Sequence, residues 1–454
     1  MIKKKNISRV FLIFLFFHLT IWTLIPAISN VNLPLDTIEA LAWGSNLEWG
    51  FNKHPPLSAF IIEIFFQIFG RQDWAYYFLS QIFVLAAFII IYKFSIDFFK
   101  DNSLALISVL LLEGIFFYNF TTPEFNVNVC QLPFWASSVY FTWRCLRNDE
   151  LLDYILLGIC FGLGILSKYL FLYLVIGIKL LFLYFLFKNK IKSKNFLIVG
   201  PIVLLIILPH LIWLIDNNYS TITYALKRTG ETKSFLNHFT YPLIFILKQI
   251  GILIPVLTMI FFLTKKLKFK VNFQDEKFLF LFFTTILPIL LIIFTSFVMG
   301  AQIRTMWMTP FYLFVGVFLI HVFKKDLIKK IRGFYLIFLF FFVISPITYL
   351  SVSLYNDQKR TDYPGKEISR LVQNKWDRNF RNEIMIVVGD EWYAGNLSYH
   401  LISRPKWTQS LKNSKDIKSN EGVIYTGNPQ ILKEVCPGVF GEIRPVGYCM
   451  IGQK

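Results

Sequence analysis

The sequence predicts an all-α polytopic membrane unit followed by a small α/β domain, on three observations. Apolar runs of about 17–20 residues, the length that crosses a bilayer, recur along the first three quarters of the chain. Short Lys/Arg-rich loops separate alternate runs. From about residue 354 the pattern becomes short strand-like runs between turn residues. Composition agrees: of 454 residues 55% are hydrophobic and 16% charged, with 51 Phe. Soluble domains carry about 25% charged residues.

The first run, 10–29, follows Lys3, Lys4, Lys5 and Arg9. An uncleaved first helix with a cytoplasmic N-terminus is expected, the alternative being a signal peptide cut at Ala27-x-Ser29. Further spans are expected at 74–96, 103–119, 128–146, 151–167, 169–187, 196–215, 242–263, 278–298, 306–323 and 333–353, about eleven in all. The apolar stretch 57–69 is short for a span and reads as a helix in the interface.

Charge tests this order independently. The even-numbered spans should end on the cytoplasmic side. They end at Lys100, at Arg144 and Arg147, and at the basic loops 188–194, 265–270 and 324–332. The net charge of +18 is therefore a topology signal and an attraction for anionic membrane lipids, not a nucleic-acid footprint. An odd number of spans puts the C-terminal segment outside.

The outer side then holds Asp36, Glu39, Lys53 and His54 in the first loop, Glu124 in the second, Lys168 in the turn of "GLGILSKYLF", Asp216 after "PHLIWLI", and Arg304 in "GAQIRTMW". Ionisable groups at hydrophobic borders are functional candidates. Each also has a plainer reading: Asp36 and Glu39 as loop acids, Lys53 and His54 as interface anchors, Glu124 as a helix N-terminal charge, Lys168, Arg304 and Asp216 as boundary charges. His18, His210 and His321 read as satisfied within or at the ends of helices.

Beyond the last span, the division falls at 1–353 and 354–454. "EIMIVVGDEW" reads as a buried strand ending in a Gly-Asp turn, "GNLSYHLI" as a helix and "EGVIYTG" as a second strand. Cys130, Cys145 and Cys160 lie in apolar runs as small buried residues. Cys436 and Cys449 lie outside the spans, where a bridge is one reading and two free thiols the other. No metal-ligand spacing is present, and neither metal nor cofactor is expected.

The stretch "DTIEALAWG…WGFNKHPPL", with "TPEFN" in the second loop, resembles the GT-C membrane glycosyltransferases, over roughly residues 10–320. Within them it is similar to the bacterial relatives of the dolichyl-phosphate-mannose protein mannosyltransferases. The nearest subgroup attaches sugars to lipid A or lipopolysaccharide core. It includes the aminoarabinose transferase and, closer in the "KHPPL" and "TPEFN" wording, enzymes that transfer galactosamine or galacturonic acid.

The resemblance implies a membrane domain of the GT-C type, with a polyprenyl-phosphate (undecaprenyl-phosphate) sugar as donor and lipid A or lipopolysaccharide as acceptor. It implies transfer at the periplasmic face of the bacterial inner membrane. Asp36 matches the first-loop acid and Glu124 the second-loop acid, which is commonly Asp. Many members carry two adjacent first-loop acids, whereas here the second is Glu39, three residues on and on the same face if the stretch is helical. Lys168 and Arg304 match basic positions near the donor phosphate. Lys53 and His54 stand where the family carries a Lys before two prolines. The same chemistry on a protein acceptor is the alternative function. A transporter or flippase is the rival class, but it would show repeats and ionisable groups near the bilayer midplane; no repeat is found, and these groups gather at one face.

Overall fold

The computed structural model describes residues 4–190, 194–230, 234–264, 271–323, 331–356, 358–411 and 421–454. The basic loop 265–270, residues 324–330 of the loop 324–332 and residues 191–193 of the loop 188–194 lie outside the described residues.

The membrane unit opens with α1 (Lys4–Ser29), α2 (Leu35–Gly44), α3 (Leu57–Phe69) and α4 (Asp73–Phe99). It continues through α5 (Asn102–Leu110), α6 (Val127–Cys130), α7 (Leu132–Asn148), α8 (Leu151–Ser167), α9 (Leu172–Phe187), α10 (Val199–Asp216) and α11 (Ser220–Arg228). It closes with α12 (Asn237–Leu263), α13 (Glu276–Leu281), α14 (Leu287–Met299), α15 (Val315–Phe323) and α16 (Ile331–Tyr355).

All eleven expected spans fall on helical segments. Among the described residues, seven helices are long and apolar enough to cross a membrane, or eight if the bent pair Thr305–Tyr312 and Val315–Phe323, 56° apart, is one span. Asn102–Gly114 and Leu151–Ser167 are shorter apolar helices, as is the stretch 57–69.

Besides the bent pair, three of the expected spans are broken. After α5 the chain passes into 3₁₀ turns at Leu111–Gly114 and Phe116–Tyr118. Gln131 interrupts the run between α6 and α7. A π segment, Phe282–Ile286, joins α13 to α14 just before Pro288. Apolar counting detects none of these breaks, because the few polar residues involved, Glu113, Gln131, Thr284 and Thr285, sit inside long apolar windows.

Local signals set the helix ends. Asp101 accepts the N–H groups of Ser103 and Leu104 at 2.7 and 3.2 Å and starts α5. Asn126 does the same for α6, accepting Asn128 N and Val129 N at 2.9 and 3.2 Å. Gly300, at φ 57°, ends α14 in the left-handed conformation. Within the bundle, Nδ1 of the buried His18 ring meets the buried Glu113 carboxylate at 2.7 Å, giving each a partner away from water.

The C-terminal unit carries α17 (Gly365–Asn379), β1 (Ile384–Val388), α18 (Tyr393–His400), β2 (Lys406–Thr408), β3 (Gly422–Gly427), α19 (Pro429–Val435), β4 (Val439–Ile443) and β5 (Val446–Ile451). The sheet order is β2-β1-β3-β5-β4, with β1 parallel to β2 and β3 and β5 antiparallel to β3 and β4. The three elements read from sequence are β1, α18 and β3. Cys436 and Cys449 are bridged, with Cα atoms 5.5 Å apart.

This unit sits directly on the first loop. Gly395 of α18 lies so close to α2 that an added Cβ would be 3.1 Å from both Ala42 Cβ and Ile38 Cγ2. Arg404 donates to the Glu63 carboxylate and to Leu41 O, both at 2.7 Å, and Asn32 donates to Asn396 Oδ1 at 2.7 Å.

Candidate active site

A cavity of ≈ 560 Å³ opens where α2, the first loop, α6, the Lys168 turn, α9, α11 and the end of α14 meet. Six of the seven residues expected from sequence line it: Asp36, Glu39, Lys53, His54, Lys168 and Arg304. The seventh, Glu124, stands behind the wall and accepts the backbone N–H of Asp36 at 2.9 Å. Asp216 ends α10 exposed and outside the lining. Leu172, Ile176, Met299, Ile303 and Met306 make the rest of the wall largely apolar.

The acids come from one helix. α2 is helical through both Asp36 and Glu39, so a spacing of three puts both on the cavity face. Pro34 precedes the helix without a side chain able to cap it, and the Glu124 carboxylate supplies the missing acceptor.

The first loop, whose lysine, histidine and two prolines follow Trp49-Gly50, is clamped from both sides. His210 of α10 meets Trp49 O at 2.6 Å, Thr221 of α11 donates to Phe51 O at 2.6 Å, and Phe51 stacks on Trp43 at 5.4 Å. Gly50 lies against the Trp213 ring so closely that a Cβ would come within 2.3 Å of it. From the C-terminal unit, Trp407 N donates to Ser45 Oγ at 2.8 Å and Gln409 accepts from Asn52 at 2.7 Å. A turn in which Phe51 N donates to His54 O at 3.1 Å presents Lys53. Pro55 and Pro56 then fix the entry into α3.

Lys53 Nζ lies 2.8 Å from Glu39 and 3.3 Å from Glu391, the latter reaching in from the C-terminal unit. Burial pulls the Lys53 ammonium down, but the two carboxylates outweigh it and hold its pKa above the ordinary value. Burial pushes the Glu39 carboxyl up to about 7, against the pull of Lys53. Burial also raises Asp36, opposed first by Lys168 and then by Lys53, Arg360 and Arg228. Glu124 rises for the same reason, with the charge of Asp36 adding to it.

Lys168 is buried at the end of α8, where its ammonium donates to Asn128 Oδ1 at 2.6 Å and lies 5.2 Å from the centre of the Trp307 ring. Burial lowers its pKa to about 7, partly offset by Asp36. His54 turns its ring edge toward Trp43 at 5.9 Å. Burial, and then Lys168, Lys53 and Arg228, keep that ring neutral, so it offers a hydrogen bond and not a charge.

Sequence reasoning did not single out Arg228, Glu391, Tyr224 or Trp307. Arg228 and Tyr224 line the cavity from α11, a helix between two expected spans. Its two-residue "KR" end was the available signal. Glu391 had none, since its partner Lys53 is far away in the chain. Among the described residues no cluster of three or more His, Cys, Asp or Glu is placed to hold a metal ion.

The arrangement sets carboxylates and fixed cations around one cavity with largely apolar walls. Such a site can stabilise separating charges of opposite sign on an amphipathic substrate.

Comparison with known proteins bears on the same region. Residues 53–213 match the family model described as dolichyl-phosphate-mannose-protein mannosyltransferase, about a third of the chain. The whole chain is similar in fold to ArnT from Cupriavidus metallidurans bound to undecaprenyl phosphate, at TM-score 0.63 and 10% identity over 98% of each chain. The apo state of that protein aligns at TM-score 0.64 and 9% identity, again over 98% of each. No curated protein sequence matches the chain significantly. The chain thus shares the fold of ArnT, with seven or eight helices of membrane-crossing length and apolarity among the described residues. Within that fold, the stretch that matches the mannosyltransferase family model runs from the first loop to α10.

Proposed function

We propose that this enzyme transfers a sugar from undecaprenyl phosphate, or a similar polyprenyl phosphate, to lipid A or lipopolysaccharide core. Transfer takes place at the periplasmic face of the bacterial inner membrane, by one inverting displacement. The observation that carries this reading is the convergence of Asp36, Glu39, Lys53, Lys168 and Arg304 on one apolar-walled cavity. The undecaprenyl phosphate bound to ArnT, a protein of similar fold, supports a lipid-phosphate donor.

In the displacement the anomeric C–O bond to the phosphate breaks as the acceptor oxygen forms its own bond from the opposite side of the sugar. The bonding pair leaves with the phosphate oxygen. Lys53, Lys168 and Arg304 stabilise the charge that gathers there, Arg304 with its planar fork and the lysines as point charges. His54 adds a neutral hydrogen bond at the same end. Positive charge growing on the sugar faces Asp36 and Glu39. If the acceptor is a hydroxyl, one of these carboxylates takes its proton. A lipid A phosphate is already ionised and needs no base, so Asp36 then positions it or offsets charge on the sugar. Glu124 acts by holding α2.

In this reading residues 1–353 are the catalytic membrane domain and 354–454 a periplasmic domain over its mouth. The Cys436–Cys449 bridge supports that placement, since disulfides persist in oxidising compartments. The test is mass spectrometry of lipid A from cells with and without the gene. A sugar-sized mass increment lost with the gene supports the reading and names both sugar and acceptor. Unchanged lipid A and core, with a glycan missing from a protein, moves the acceptor to protein.

A further inference from the structure

Lys53 is a proposed phosphate cation, yet its ammonium already faces two carboxylates, Glu39 at 2.8 Å and Glu391 at 3.3 Å. Glu391 belongs to the other unit of the chain and is held firmly. It follows β1 in a turn whose Asp390 accepts Trp392 N and Tyr393 N, each at 2.8 Å. Trp407 Nε1 donates to Gly389 O, in the same turn, at 3.2 Å. The side chains of Lys53 and Glu391 are 23% and 13% exposed, so water screens their contact only in part. A lipid phosphate reaching Lys53 must share it with these carboxylates.

We infer that Glu391 is a positioning residue that sets the charge balance at Lys53 and so drives departure of the spent lipid phosphate. The inference rests on the lipid-phosphate donor proposed above. The donor is a phosphodiester with a single negative charge. Breaking its anomeric bond leaves a phosphate monoester, which carries about 1.5 to 2 negative charges at neutral pH. A fixed carboxylate beside Lys53 repels the monoester more than the diester, because the interaction scales with charge. The site therefore holds the donor and loosens its product.

The experiment measures binding of two probes to the purified full-length protein in nanodiscs: undecaprenyl phosphate and its methyl phosphodiester. Glu391→Gln should tighten the diester about twofold and the monoester about three- to fourfold, following charge. In the Lys53→Gln background both lipids should bind more weakly, while Glu391→Gln should still tighten the monoester more than the diester. Arg404→Gln, which loosens the domain at its Glu63 contact, should leave the monoester-to-diester ratio unchanged. Equal tightening of both lipids, no change, or weaker monoester binding in Glu391→Gln overturns the inference and leaves the donor reading standing. Failure of the unaltered protein to bind either lipid overturns both.

Discussion

The Glu124 carboxylate accepts the backbone N–H of Asp36 at 2.9 Å, across 88 positions of sequence. It stands at the start of α2, where free N–H groups and the helix dipole favour negative charge. The next residue of that loop takes part too, since Thr37 Oγ1 donates to Phe125 O at 3.2 Å. The second loop thus fixes the helix that carries both cavity acids.

Replacing Glu124 should therefore misplace Asp36 without removing a group from the cavity. Glu124→Gln keeps an oxygen acceptor and should retain far more transfer than Glu124→Ala. The alanine variant should lose about 1–2 kcal/mol of stability, the scale of a lost helix cap. Transfer rates and thermal melting at matched protein levels check this. Equal activity of the two variants would contradict it.

Lys168 gives the site a pH dependence. Its pKa is lowered to about 7 by burial, against Asp36. Only the charged form attracts phosphate, so binding of undecaprenyl phosphate should weaken as pH rises through about 7. Lys168→Arg, which stays charged, should flatten that limb. The sign for stability is opposite: between about 7 and 10.5 the unfolded chain binds more protons at this residue, so its contribution to stability improves as pH rises. Binding of the lipid measured from pH 6 to 9 decides, and an identical slope in Lys168→Arg would rule Lys168 out as its source.

Much of this was legible in the sequence. The apolar runs locate every helix of membrane-crossing length among the described residues because lipid-facing and packed surfaces are both greasy. The pairing of Asp36 with Glu39 follows from helical spacing alone. Other features were not legible. The 3₁₀ turns after α5 and the π segment before Pro288 lie within windows that stay apolar on average, despite Glu113, Thr284 and Thr285. α17 was missed because its polar face outweighs its apolar stripe of Ile368, Val372 and Trp376. Glu391 was invisible because its role depends on how the C-terminal unit docks on α2, and local pattern does not encode docking.

Gly50 should tolerate no side chain. An added Cβ would meet the Trp213 ring at 2.3 Å. Gly50→Ala should push Trp213 aside and shift the loop that presents Lys53, lowering activity while the protein still reaches the membrane. Pairing it with Trp213→Ala should restore part of the loss. An active Gly50→Ala single variant would show that the loop does not need this contact.

The Cys436–Cys449 bridge closes a short loop near the C-terminus, with a sequence separation of 13. Closing a loop of that size contributes about 3 kcal/mol by restricting the unfolded chain. Without reductant, neither thiol should label in the intact protein, and Cys436→Ser with Cys449→Ser should melt at a lower temperature. Full labelling of both without reductant would exclude the bridge.

The central claim is that this cavity breaks the bond between a sugar and a polyprenyl phosphate, with Asp36 at the reacting centre. The most direct measurement is release of undecaprenyl phosphate by purified protein given the glycosylated lipid and lipid A. Unaltered protein should release it in step with sugar transfer. Asp36→Asn should still bind undecaprenyl phosphate and release essentially none from the donor. Normal release by Asp36→Asn, at normal protein levels, would contradict the account.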